Sequence, residues 1–243
     1  MACPGFLFMD AISKGILYGV GVGPGDPELI TLKAARLLGR VSRVYAAAST
    51  KNSYSVSLSI VQPHLAPGVA PVVLPFPMTR DLEVLDRAWQ ENARTVLADL
   101  DAGRDAVFLT LGDPSTYSTF GYLLRTLRGL DPAVRVEVVP GVTSYSAAAA
   151  LAGQPLAEAE ETLAVVSGAC GGDALRRAAQ VADSLVVLKA YKRFGDIRAA
   201  LDEAGLLDGA VLASACGQEG ESMVRDLAGV EQTPPYFSLV LAR

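Results

Sequence analysis

The chain has 243 residues, 51% hydrophobic and 19% charged, which is enough for one large or two smaller buried cores. Its net charge of -5 excludes a general attraction to nucleic acid or to an anionic membrane surface. The single histidine, His64, argues against a His-rich metal site and a Ser-His-Asp triad, so we expect no metal. Cys3, Cys170 and Cys216 are too few and too far apart for a disulfide framework, which favours a reducing cytoplasm.

The first 14 residues do not have the pattern of a signal peptide. Residues 1–14 contain a modest apolar patch, Phe6-Leu7-Phe8-Met9, but lack a basic region before it. We interpret them as a disordered extension that precedes the first domain. No uninterrupted apolar stretch reaches the roughly 18 residues of a membrane-spanning helix, so we also expect no membrane association.

In the first half of the chain, apolar runs alternate with helical periodicities. Strands are predicted at 15–22, 43–48, 69–74, 106–111 and 134–139. Asp26 as N-cap and Pro27 as first residue predict a helix that continues to Leu38. Further helices are predicted near 55–61, at 82–100, after the turn at Gly112, and at 145–152.

The second half repeats the alternation of strands and helices. Strands are predicted at 163–166, 185–188, 210–215 and 236–241, with helices at 173–181 and 194–203. Such alternation is typical of an α/β fold. A boundary near Pro140 predicts an N-terminal domain over 15–139 and a C-terminal domain over 140–243.

Three turns rich in glycine and proline follow three of the predicted strands. They are Gly23-Pro24-Gly25-Asp26-Pro27, Gly112-Asp113-Pro114 and Pro140-Gly141-Val142-Thr143-Ser144. Ligands of open α/β sheets bind where strands end and helices begin, so these turns predict a binding site. The alternative is that they are ordinary turns between strands and helices.

The first of these turns does not have the spacing of a dinucleotide fingerprint. Counted from Gly19 or Gly21, the third glycine of G-x-G-x-x-G falls on Pro24 or Asp26. No P-loop lysine follows either, so a diphosphate cradle is a poor interpretation. Backbone groups, the carboxylate of Asp113 and small hydroxyls suit a nucleoside-like ligand without phosphates.

Basic residues follow two predicted strands of this acidic chain. Arg80 comes after the proline-rich segment that ends one strand, and Lys189, Lys192 and Arg193 come after strand 185–188. They are candidates for binding an acidic substrate through carboxylate pairs. The alternative is a solvated loop.

The three turns, in this order, resemble the motifs of the tetrapyrrole methylases, which are class III S-adenosylmethionine-dependent methyltransferases. The resemblance runs from about Gly15 to the C-terminus, and its first motif extends over 18–34. It implies two α/β domains with the active site in the cleft between them, and a homodimer. The donor contacts that it implies are Pro24, Leu111, Gly112, Asp113, Thr116, Thr143, Ser144 and Lys189.

Two segments are similar to one branch of the family, the one that methylates precorrin-2 at C20. They are Phe76-Pro77-Met78-Thr79 and the run from Leu111 to Phe120. The uroporphyrinogen-III methyltransferases usually carry Gly-Gly-Asp-Pro, and here Leu111 replaces the first glycine. The resemblance implies that S-adenosylmethionine is consumed, that S-adenosylhomocysteine leaves, and that precorrin-2 accepts the methyl group.

Several alternatives stay open at this point. One alternative is the same methylation on cobalt-factor II. The others are another tetrapyrrole methylase, a protein-methylating relative, a tetrapyrrole carrier and a nicotinamide-dependent dehydrogenase. Tyr117 either orients the ring and relays a proton, or packs its helix. Arg80, Lys192 and Arg193 are the candidates for binding the substrate's carboxylates.

Overall fold

The computed structural model describes residues 13–48 and 56–243. Contacts between Cα atoms divide the chain into two compact units. One contains the residues up to Val22 together with Thr31–Gly141, and the other contains Gly23–Ile30 and Val142–Arg243. The predicted boundary near Pro140 is beside the point where the chain passes from the first unit to the second, between Gly141 and Val142. The assignment of the units as domains stays a prediction. Residues 1–12 of the predicted extension lie outside the described residues.

Within the described residues, the first unit forms a sheet of parallel strands in the order β3-β2-β4-β1-β5. The strands are β1 (Ile16–Gly21), β2 (Arg43–Ala48), β3 (Val72–Pro75), β4 (Ala106–Thr110) and β5 (Arg135–Val139). β4 is buried along its whole length, which explains its uninterrupted apolar sequence. β1 has β4 and β5 as neighbours, so the carboxyl ends of these three strands meet at one edge of the sheet.

Helices connect the strands of the first unit and cover its core. They are α1 (Leu32–Leu38), α2 (Val56–Val61), α3 (Leu82–Asp101) and α4 (Phe120–Leu130). α3 confirms the predicted helical stripe, since Ala93, Val96 and Leu100 are buried on one face. Asp81 caps it by accepting hydrogen bonds from the N–H groups of Glu83 and Val84.

The predicted helix that starts at Pro27 is wrong in its first part. Asp26 does act as a cap, but only for a 3-10 turn at Pro27–Leu29. Ile30 is then extended, and Thr31 caps α1 by accepting a hydrogen bond from the N–H of Ala34. Two capping signals therefore follow one another, and the second starts the helix.

The second unit forms a mixed sheet in the order β6-β7-β10-β8-β9 within the described residues. The strands are β6 (Leu163–Ser167), β7 (Ser184–Leu188), β8 (Val211–Ser214), β9 (Ser222–Val224) and β10 (Ser238–Ala242). β6 and β7 are parallel, and the other pairs are antiparallel. β9 was not predicted, because a strand of only three residues is too short to show a detectable period.

Helices α5 (Ser144–Ala152), α6 (Asp173–Ala178) and α7 (Phe194–Glu203) belong to the second unit. The small residues of α5 pack into an apolar cluster, where Ala148, Ala149 and Ala152 share contacts with side chains such as Val211 and Leu239. Tight packing of helix on sheet therefore accounts for the run of alanines.

The two sheets and their helices confirm the predicted α/β fold class. None of the helices in the described ranges is long and apolar enough to cross a membrane.

Candidate functional site

Three glycines at one edge of the first sheet bring their backbones into contact. A Cβ atom placed on Gly141 would be 2.2 Å from the carbonyl oxygen of Gly112 and 2.7 Å from the carbonyl carbon of Gly21. A Cβ atom on Gly21 would be 2.6 Å from the same oxygen of Gly112. No side chain fits between these backbones, because real Cβ contacts are longer than 3.0 Å. The turn after β4 and the turn after β5 are therefore packed against the end of β1.

Asp113 ties two of these turns together. One carboxylate oxygen, Oδ1, accepts hydrogen bonds from the N–H and the hydroxyl of Ser115 at 2.8 and 2.5 Å. The other, Oδ2, accepts a hydrogen bond from the N–H of Gly141 at 3.0 Å. Burial by itself raises the pKa of Asp113, but the hydrogen bonds from Ser115 and Gly141 outweigh it and keep the pKa below its ordinary value. Asp113 is therefore an ionised clamp between the turns, a role that the sequence did not predict.

Tyr117 lies in a left-handed backbone conformation before α4. Its φ is 50°, and 52% of the residue is exposed. A bulky residue with positive φ is uncommon, and such strain clusters at ligand sites. The helix predicted after the turn at Gly112 is α4, which begins at Phe120, so Tyr117 lies in the segment before it.

The other candidate residues of the first unit lie on loops. Leu111 and Thr116 are half-buried beside Gly112 and Tyr117 in the segment between β4 and α4. Arg80 is exposed immediately before the cap of α3 and, among the residues described, it forms no ion pair within 4.0 Å. Arg80 is thus available to pair with an acidic ligand.

Pro24 lies in a loop that packs against the loop after β8 within the second unit. The side-chain amide of Gln218 donates a hydrogen bond to the carbonyl oxygen of Pro24 at 3.0 Å. A Cβ atom on Gly25 would be 2.6 Å from the carbonyl oxygen of Cys216, and one on Gly217 would be 2.5 Å from the N–H nitrogen of Asp26. Gln218 could not be predicted from the sequence, because one polar residue in a loop gives no signal.

Thr143 and Ser144 begin α5. The hydroxyl of Thr143 accepts a hydrogen bond from the N–H of Ser146 at 3.3 Å and is 2.8 Å from the hydroxyl of Ser146. Thr143 is therefore an N-cap in the structure. Its predicted contact with a methyl donor is a separate proposal.

The loop between β7 and α7 brings three predicted basic residues together. Lys189 follows β7 with a φ of 58°, and Arg193 precedes α7 with a φ of 52°. Lys192 and Arg193 are exposed, and the guanidinium of Arg193 donates a hydrogen bond to the carbonyl oxygen of Cys170 at 3.0 Å. The loop therefore has a constrained backbone and exposed positive charge. The described part of the chain contains no group of three or more His, Cys, Asp or Glu side chains that could hold a metal ion.

Comparisons with known proteins agree with this arrangement. A family model of the tetrapyrrole (corrin/porphyrin) methylases matches residues 16–230. The cobalt-precorrin-2 C(20)-methyltransferase of Salmonella typhimurium (strain LT2) is 40% identical, over 94% of this chain and 96% of that protein. The precorrin-2 C(20)-methyltransferase of Sinorhizobium sp is 33% identical, over 96% of this chain and 97% of that protein.

A solved structure shares the fold. The uroporphyrin-III C-methyl transferase from Thermus thermophilus, complexed with S-adenyl homocysteine, has a TM-score of 0.68 and 31% sequence identity. The match covers 94% of this chain and 92% of that one. The fold and the similarity to these proteins therefore define a methyltransferase that contains two β-sheets with their helices. The chain belongs to the tetrapyrrole (corrin/porphyrin) methylases.

Proposed function

We propose that this chain transfers a methyl group from S-adenosylmethionine to C20 of precorrin-2, giving precorrin-3A in cobalamin biosynthesis. The observation that carries the proposal is the similarity, over nearly the whole chain, to two relatives whose names share this ring position. The run from Leu111 to Phe120, which resembles the C20-methylating branch, supports it.

The same methylation on a cobalt-containing substrate is a second candidate. The relative named for the cobalt form is 40% identical, and the relative named for the metal-free form is 33% identical. Both candidates use the same donor and the same ring carbon, so they differ only in the metal state of the acceptor.

The residues present fit a donor without phosphates. Gly112 has a φ of 72°, which glycine adopts without strain, whereas Tyr117 has a φ of 50°. Strain of the kind found at Tyr117 clusters at ligand sites. Leu111, Gly112, Asp113 and Thr116 of the first unit would contact the donor. The family resemblance also implies donor contacts at Pro24, Thr143, Ser144 and Lys189.

The chemistry places the nucleophile on the substrate. S-adenosylmethionine supplies an activated methyl group when it is bound. An enamine-like ring carbon of the substrate forms the new bond to that methyl carbon, the methyl–sulfur bond breaks, and the electron pair stays with sulfur. The protein's own groups hold carbon, methyl and sulfur in line, which accounts for catalysis without a side-chain nucleophile.

A proton leaves the meso carbon after the transfer. Tyr117 is the proposed residue to orient the ring or relay this proton, since its side chain is exposed on the segment that follows the proposed donor turn. Arg80, Lys192 and Arg193 are proposed to pair with the carboxylates of the substrate. The proposal also includes a homodimer, which the family resemblance supports, and a cytoplasmic location, which the three widely separated cysteines favour.

The direct test is mass spectrometry of the product after anaerobic incubation with precorrin-2 and S-adenosylmethionine. A gain of one methyl group, located at C20 by isotopic labelling, supports the proposal. A parallel incubation with cobalt-factor II separates the two candidates. Methylation of the cobalt compound alone would reject the metal-free substrate, and methylation of neither would reject C20 methylation altogether.

We expect Arg80→Ala to raise the KM for the tetrapyrrole several-fold while kcat changes less. Pairing with a carboxylate contributes binding that is similar in the ground state and the transition state. Steady-state kinetics at fixed saturating donor measures both constants. Arg94→Ala, an exposed arginine on α3, is the matched control and should leave both constants unchanged. An unchanged KM in Arg80→Ala would remove Arg80 from the substrate site.

A further inference from the structure

Two tyrosines of the second unit form a paired aromatic surface. Tyr191 follows β7 and Tyr236 precedes β10, and the N–H of Ala190 donates a hydrogen bond to the carbonyl oxygen of Ser238 at 3.0 Å. This bond holds the two segments side by side. The ring centroids of Tyr191 and Tyr236 are 4.9 Å apart with an interplanar angle of 48°.

The aromatic pair is supported from one side and open on another. The ring of Phe237 packs edge-on against Tyr236, with centroids 4.9 Å apart at 80°. Tyr236 nevertheless remains 50% exposed. Within the described part of the second unit, neither tyrosine belongs to the two clusters of buried apolar residues. Packing in the hydrophobic core therefore does not explain why two large aromatic side chains lie at these positions.

Their position is one where α/β proteins bind ligands. β6 and β7 are parallel, and the loop with Tyr191 follows the carboxyl end of β7. Ligands of α/β sheets lie beyond the carboxyl ends of parallel strands. The start of β10 lies at the same edge because β10 is antiparallel to β7.

The charge beside the rings is positive. The ammonium nitrogen of Lys192 is 5.6 Å from the centroid of the Tyr191 ring, and both Lys192 and Arg193 are exposed. A flat conjugated ring system with carboxylate side chains matches both the aromatic surface and these charges. S-adenosylmethionine carries a sulfonium and an ammonium group against a single carboxylate, so the several carboxylates of a tetrapyrrole match this positive charge better.

We infer that Tyr191 and Tyr236 form an aromatic wall for the tetrapyrrole acceptor, with Lys192 pairing one of its carboxylates. This inference rests on the proposed function and names residues that determine how that function's substrate binds. The wall contacts the ring system by its faces, and the phenol hydroxyls are not required. Tyr191 and Tyr236 therefore act on the acceptor and leave the donor unaffected.

The test compares Tyr236→Ala with Tyr236→Phe and with Tyr122→Ala. Tyr122 is a matched control, because it is 42% exposed and is also paired with another ring, that of Trp89 in the first unit. Three quantities are measured for each variant. They are the KM and kcat for precorrin-2, the fluorescence-detected Kd for sirohydrochlorin, and the calorimetric Kd for S-adenosylhomocysteine.

We expect Tyr236→Ala to raise the KM for precorrin-2 and the Kd for sirohydrochlorin by roughly 5- to 10-fold, since stacking on an aromatic side chain contributes about that much. Its affinity for S-adenosylhomocysteine should stay at the wild-type value. Tyr122→Ala should resemble wild type in all three quantities. Tyr236→Phe keeps the aromatic ring, so it should lose less tetrapyrrole affinity than Tyr236→Ala. Lys192→Ala, a change at an exposed side chain, should raise the same KM without changing the melting temperature.

Several outcomes overturn the inference. If Tyr236→Ala folds and its KM for precorrin-2 and Kd for sirohydrochlorin are unchanged, the aromatic wall is rejected. It is also rejected if Tyr236→Ala weakens the binding of S-adenosylhomocysteine and not that of the tetrapyrroles. Equal losses in Tyr236→Phe and Tyr236→Ala would assign the effect to the hydroxyl. A wild-type protein that methylates neither precorrin-2 nor cobalt-factor II rejects the proposed function and this inference together, whereas an active wild type with an unaffected Tyr236→Ala rejects only the inference.

Discussion

Gly141→Ala is expected to lower the stability of the first unit by about 3 kcal/mol or more, because the new methyl group has no space. The added Cβ would be 2.2 Å from the carbonyl oxygen of Gly112, a backbone atom that cannot rotate away. The turns after β4 and β5 must separate to relieve this overlap. Differential scanning calorimetry should show a melting temperature lower by roughly 6 to 12 °C.

Gly121→Ala is the matched control for this substitution. A Cβ atom on Gly121, within α4, would have no atom within 4 Å, and alanine has the higher helix propensity. We expect the control to have an equal or slightly higher melting temperature. A Gly141→Ala protein as stable as wild type would show that the three backbones at this sheet edge do not need their close contact.

Asp113→Ala is expected to weaken the binding of S-adenosylhomocysteine by at least about tenfold and to cost about 2 kcal/mol of stability, since hydrogen bonds to charged groups contribute this much. The substitution removes acceptors for the N–H and hydroxyl of Ser115 and for the N–H of Gly141. The proposed donor turn then loses its clamp. Calorimetric titration measures the affinity, and thermal unfolding measures the stability.

Asp208→Ala, an exposed aspartate in the turn before β8, is the control for loss of a carboxylate and should behave as wild type. The pH dependence gives a second check. The folded-state pKa of Asp113 is below its ordinary value, so its stabilisation is present above the unfolded-state pKa, near about 4, and is lost as pH falls through the folded-state pKa. The stability difference between wild type and Asp113→Ala should therefore shrink in acid. Normal donor affinity in Asp113→Ala would contradict its place in the proposed donor site.

Local signals predicted most of the secondary structure correctly. β4 is recognisable because a strand buried on both faces reads as an unbroken apolar run. α3 is recognisable because one buried stripe recurs at helical spacing over 20 residues. The prediction failed where two caps compete, at Asp26 and Thr31, since either residue can start a helix and the sequence does not rank them.

The residues of the candidate site could be predicted from the sequence, but their contacts with one another could not. The glycines and Asp113 stand out because turns at strand ends need such residues. What Asp113 holds was not predictable, because its partner Gly141 is 28 residues away. The pairing of Tyr191 with Tyr236 was missed for the same reason, since these rings are separated by two strands in the chain, β8 and β9, and meet only where β7 and β10 pair.

The α/β alternation, the family resemblance and the identity of the turn residues could all be predicted from the amino-acid sequence, because they depend on local periodicity and on short motifs. The tertiary structure decided that β4, β1 and β5 are neighbours, and strand order is set by packing between segments far apart in the chain. That order brings Gly21, Gly112 and Gly141 into contact and makes Asp113 a clamp. The tertiary structure also places the loop of Pro24 in the second unit, where Gln218 donates a hydrogen bond to it. Contacts of this kind arise from the folded chain and leave no periodic trace in the sequence.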